Sequence, residues 1–92
     1  MGAFVFHSTN KSEAEVQNEA VKLIDNMMTS AVQASLAYQS SHNSQELAAC
    51  IVRLEDELGS LLDRLEHHIP LVRKKAAELI CLLGVYAQWC GC

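Results

Sequence analysis

The sequence predicts an all-α fold: an antiparallel helical hairpin with a third helix or a kinked C-terminal extension, built on a coiled-coil-like seam. Three observations lead there. The first is an unbroken heptad of apolar residues, Leu47, Ile51, Leu54, Leu58, Leu61 and Leu65. Its spacing alternates four and three residues, which keeps one stripe on one side of a helix. The second is composition: half of the 92 residues are apolar, and Pro70 is the only proline. Ala, Leu, Glu, Gln and Lys fill much of the chain, and these are helix formers. A β-rich fold needs more turn residues than this. The third is punctuation, with capping residues ahead of each apolar run.

Residues 1–11 read as a short apolar start, Phe4-Val5-Phe6, and a polar linker. A single helical domain over 12–92 follows, a size that leaves room for one modest core. Ser12-Glu13-Ala14-Glu15 is a capping box, in which the Ser12 hydroxyl and the Glu15 carboxylate each satisfy the other's amide. It predicts a first helix over about 13–39. The apolar set of that helix is wider than an a/d stripe, so it should touch more than one neighbour. Met27 and Met28 fall within this set as adaptable core filling.

Ser40-Ser41-His42-Asn43-Ser44 interrupts the pattern with turn residues, and Asn43 followed by Glu46 resembles a second cap. A second helix is expected over about 44–69. Extending its heptad past Leu65 gives His68, Val72, Lys75, Leu79, Leu82, Tyr86 and Trp89. The phase survives Pro70, which favours one long kinked helix. The residue before a proline avoids the α region, which favours a break and a third helix over about 70–89. The break or strong kink falls at Ile69-Pro70.

Net charge is −4, with the acids Glu46, Glu55, Asp56, Glu57, Asp63 and Glu66 in the middle and one basic cluster, Arg73-Lys74-Lys75. A phosphate backbone needs a sustained positive face, so nucleic acid is not an expected partner. The start of the chain lacks the basic flank and apolar core of a secretory signal. Gly2 lacks the Ser or Thr that a myristoylation motif needs at position 6, where this chain has Phe6. The expected setting is therefore intracellular, cytoplasmic or nuclear, with thiols reduced.

The chain offers no nucleophile beside a base, no paired acids in a pocket-forming context and no nucleotide loop, so no enzyme activity, cofactor or metal is expected. The adjacent His67 and His68 point about 100° apart on a helix and do not chelate one ion well. His68 falls on the seam, where it reads as a helix-end cap or a register-setting position. The terminal Cys90-Gly91-Cys92 resembles, over three residues, the doubly prenylated ends of Rab-type small GTPases. That resemblance makes Cys90 and Cys92 candidate lipid acceptors. Incidental thiols on a terminus are the plainer account.

The functional expectation is a non-enzymatic helical adaptor or assembly subunit. Its partner-binding residues are the seam itself: Leu47, Ile51, Leu54, Leu58, Leu61, Leu65, Val72, Leu79, Leu82, Tyr86 and Trp89. Partners are helical proteins or a second copy, with Glu55, Glu57 and Arg64 on the flanks biasing the choice. In general style the chain resembles small helical subunits of multiprotein assemblies. The alternative is a lipid-anchored membrane-surface protein, in which Arg73-Lys74-Lys75 meets anionic headgroups and the apolar tail inserts.

Overall fold

A computed structural model describes residues 12–65 and 69–91. The expectations for Phe4-Val5-Phe6, for Glu66, His67 and His68, and for Cys92 lie outside the described residues. Three helices make up the described chain: α1 (Glu13–Ser41), α2 (Ser44–Arg64) and α3 (Pro70–Trp89). Each packs against the other two.

The start of α1 is the expected capping box. The Glu15 amide donates to the Ser12 hydroxyl at 3.2 Å, and the Ser12 amide donates to the Glu15 carboxylate at 3.0 Å. At its other end His42 adopts a left-handed conformation (φ 58°), and its amide donates to the Tyr38 carbonyl at 2.6 Å. A left-handed residue closing a helix reverses the chain direction. Asn43 then caps α2 by accepting the Glu46 amide at 3.3 Å.

α2 ends at Arg64, short of the expected boundary near residue 69. Leu65 is already extended (φ −79°, ψ 127°), and so is Ile69 (φ −103°, ψ 112°). The conformation of Ile69 is the one its proline neighbour imposes. Pro70 sits in the first turn of α3, where no partner for its missing amide hydrogen is needed. The chain therefore breaks before Pro70, and α3 is a separate third helix.

The core runs along all three helices. Val16, Ala20, Ile24, Met27 and Ala31 come from α1. Leu47, Ile51, Leu54, Leu58 and Leu61 come from α2; Val72, Ala76, Leu79, Leu83 and Tyr86 come from α3. Ala20, Ala31 and Ala76 are small enough to let the helices approach closely. The buried Ser35 keeps its hydroxyl satisfied by donating to the Val32 carbonyl at 2.7 Å.

Two contacts fix the register of α1 against α3. Lys75 Nζ lies 3.4 Å from Asp25 Oδ1, and the Tyr38 hydroxyl donates to the Trp89 carbonyl at 3.2 Å. Partners are offset by 50 and 51 residues, so the two helices run parallel. The α1–α2 turn reverses direction, and Cys90 Sγ lies 3.6 Å from the Ser44 carbonyl oxygen. α2 is therefore antiparallel to both.

In α3 the buried stripe differs from the extended heptad. The heptad puts Lys75, Leu82 and Trp89 inward, whereas the structure buries Ala76 and Leu83 and leaves Lys75 and Leu82 at the edge of the core. Trp89 is 39% exposed. The helix has turned by about 50° relative to the heptad phase, half the angle between successive residues. The break before Pro70 uncouples α3 from α2, so nothing forces it to keep the α2 phase. A lysine facing the core would have to bury its ammonium, and the turn avoids that cost.

A candidate protein-interaction surface

The seam of α2 is already occupied. Leu47, Ile51, Leu54, Leu58 and Leu61 are buried against α1 and α3 of the same chain, and Leu65 is half-buried. In α3, Val72, Leu79 and Tyr86 are buried in the same core. In this structure the covering that a narrow leucine stripe demands comes from the same chain, with α1 and α3 supplying it. Of the seam residues in α3, Leu82 and Trp89 do reach the outer edge.

The surface divides along the length of the bundle. No Asp, Glu, Lys or Arg occurs from Asn26 to Gln45, nor from Leu79 to the end of the chain. The parallel register sets these two stretches side by side, as the C-terminal halves of α1 and α3. The first turns of α2 lie with them and contribute one charge, Glu46. The other charged side chains of the described residues lie toward the middle and the opposite end. Five of the nine exposed large apolar residues are on the two charge-free stretches: Val32, Leu36, Ile80, Val85 and Trp89.

Four of those five line the outer side of the α1–α3 contact. The Asp25–Lys75 pair marks its edge, with both side chains partly in solvent. Val32 is one heptad beyond Asp25, and Leu36 follows a turn later. Leu82 and Trp89 are one and two heptads beyond Lys75, with Val85 between them and i, i+4 to Trp89. Residues seven apart share a helix face. A strip of Val32, Leu36, Leu82, Val85 and Trp89 therefore continues the line that the ion pair begins. Leu36 is 57% exposed, Val85 49% and Val32 41%.

Aromatic rings set the end of the strip. Tyr38 stacks on Trp89 with centroids 5.9 Å apart and planes 27° apart, and Tyr86 meets Trp89 at 5.0 Å and 56°. Trp89 is thus held at the surface by two rings and stays partly open to solvent. Large amphipathic rings fixed in this way are common anchors in protein interfaces.

Other arrangements give less. Shallow grooves on the α1–α2 side, of about 370, 410 and 310 Å³, are lined by scattered polar and apolar residues. Among the described residues no group of three or more His, Cys, Asp or Glu is placed to hold a metal ion. No described helix is long and apolar enough to cross a membrane. Cys90 is half-buried, with its sulfur against the Ser44 carbonyl, so a lipid on it would displace that contact. The candidate flank residues Glu55, Glu57 and Arg64 are exposed on α2, and Glu57 pairs with Arg53 at 4.0 Å.

The sequence reading missed Val32, Leu36 and Val85. Their signal was the pair of charge-free stretches, and only the fold brings the two together. Comparisons with protein-family models, with curated proteins and with solved structures find nothing that matches this chain.

Proposed function

We propose that this chain is a non-enzymatic helical interaction module, an adaptor or assembly subunit. It docks other protein through the charge-poor half of its α1–α3 face. The leucine seam serves as its internal core, and Leu82 and Trp89 are the seam residues that contribute to docking. The observation that carries this reading is the strip of Val32, Leu36, Leu82, Val85 and Trp89, apolar along its length, with Asp25, Lys75 and Glu78 at its end toward the middle of the bundle. Depletion of charge around exposed apolar and aromatic residues is the compositional mark of an interface core.

Affinity capture from the native cells tests it, comparing the wild-type chain with Leu36→Glu and Val85→Glu. Both side chains are exposed, so the variants are expected to keep the melting temperature of the parent. The reading expects a set of captured proteins to be lost from both. Retention of the whole set by both variants counts against the strip as the docking surface. Co-flotation of the chain with vesicles, abolished by Cys90→Ser, would favour the lipid-anchored alternative instead.

A further inference from the structure

We infer that the strip is an isologous interface, and that its occupant is a second copy of this chain. The inference rests on the strip being a protein-docking surface and adds the identity of the partner. In a two-fold dimer each residue near the axis faces its own counterpart. A charge there meets a like charge, so a self-complementary patch near the axis is favoured when it carries none. The C-terminal halves of α1 and α3 meet that condition, with no acidic or basic residue from Asn26 to Gln45 or beyond Glu78.

The polar groups on these stretches suit the same arrangement. Gln39 and Gln88 are exposed amides. An amide is both donor and acceptor, so it can pair with its own copy. The opposite half would behave differently. There Glu55, Asp56 and Glu57 lie exposed in succession, and a two-fold contact through them would set acid against acid. A foreign partner selected by charge would find its handles in that half and none on the strip.

The size fits a modest dimer. The bundle measures 46 × 27 × 18 Å. Half its length by its width, 23 × 27 Å, is about 620 Å² per copy. Stable interfaces bury roughly 800 Å² per partner, so a face of this footprint lies at the lower end of what a stable dimer needs.

Sedimentation equilibrium on the purified full chain, from about 1 to 100 µM, reads the association directly. The expected result is a monomer–dimer equilibrium, weakened at least tenfold by Leu36→Glu and by Val85→Glu, each with helicity unchanged by circular dichroism. Asp56→Lys in the charged half leaves the constant unchanged, and raising the salt does not weaken the dimer, as expected for a contact without ion pairs. Leu36→Gln adds no charge and replaces Leu36→Glu if that variant does not fold. A wild-type chain that stays monomeric throughout, or a dimer that survives both strip variants, overturns the inference. In that event, loss of captured proteins from the same variants would leave the docking reading standing with a different occupant. Vesicle binding by a monomer, without such capture, would remove both.

Discussion

Leu54 and Val52 are two residues apart on α2 and both aliphatic, yet the structure gives them opposite environments. Leu54 is 2% exposed in the middle of the core, and Val52 is 58% exposed. Leu54→Ala removes three carbons at about 0.8 kcal/mol each, roughly 2.4 kcal/mol of transfer energy. The cavity term raises the expected loss to about 3 kcal/mol, within the usual span for Leu→Ala. A chain of this size is stable by roughly 5–10 kcal/mol, so the variant still folds. Its melting temperature should fall by about 12–24 °C, at 4–8 °C per kcal/mol. Val52→Ala loses little burial and gains helix propensity, so its melting temperature should stay within about 3 °C of the parent. Thermal circular dichroism of both variants at several protein concentrations is the assay. Because Leu54 packs within its own chain, its shift should be the same at every concentration. A Leu54→Ala shift that shrinks as concentration rises would mean the seam is closed between chains, and the internal-core assignment would fail. Equal shifts for the two variants would mean that the α2 phase is wrong.

The capping box of α1 gives Ser12→Ala an expected loss of about 1 kcal/mol, read by urea unfolding; no measurable change would mean that the helix start is frayed in solution. Pro70→Ala frees the unfolded chain and should cost about 0.4–1 kcal/mol with helicity unchanged. A rise in helicity together with a larger radius of gyration would show that proline alone separates α2 from α3. Tyr38→Ala removes the ring stacked on Trp89 and should cost about 1–2 kcal/mol, with a red shift in the emission of this chain's single tryptophan. An unshifted spectrum would contradict the packing at the end of the bundle.

Local signals carried far in this sequence. The Ser12 box, the Asn43 cap and Pro70 each act within a few residues, and each marks a helix start that the structure also has. The α2 stripe was legible because a strict heptad over one uninterrupted helix leaves a single inward face. Three things were not legible, for different physical reasons. The end of α2 at Arg64 carries no glycine and no proline before Pro70, so periodicity alone carried the expected helix to residue 69. The covering of the seam by its own chain depends on how α1 and α3 return to it, and an apolar stripe looks the same whether its cover is internal or external. The strip of Val32, Leu36 and Val85 needed the parallel register of α1 and α3, which rests on contacts between residues 50 and 51 positions apart, Asp25 with Lys75 and Tyr38 with Trp89.

The core and the strip have a common origin in Lys75. With the heptad phase kept through α3, Lys75 would face the leucines of α2, and burying its ammonium unpaired would cost several kcal/mol. Turning α3 by about 50° replaces that lysine with Ala76 and Leu82 with Leu83, at no loss of apolar residues to the core. Lys75 then emerges beside Asp25, where its half-exposed ion pair contributes at most about 1 kcal/mol. The pair is thus weak as a source of stability; its physical consequence is orientation. The same turn moves the heptad partners of Lys75 outward with it, because Leu82 and Trp89 lie on its stripe one and two heptads away. They arrive on the side of α3 that faces α1, where the C-terminal halves of both helices carry no charge. A single charged residue in an otherwise apolar heptad therefore decides both which leucine fills the core and which aromatic is left at the surface to meet another molecule.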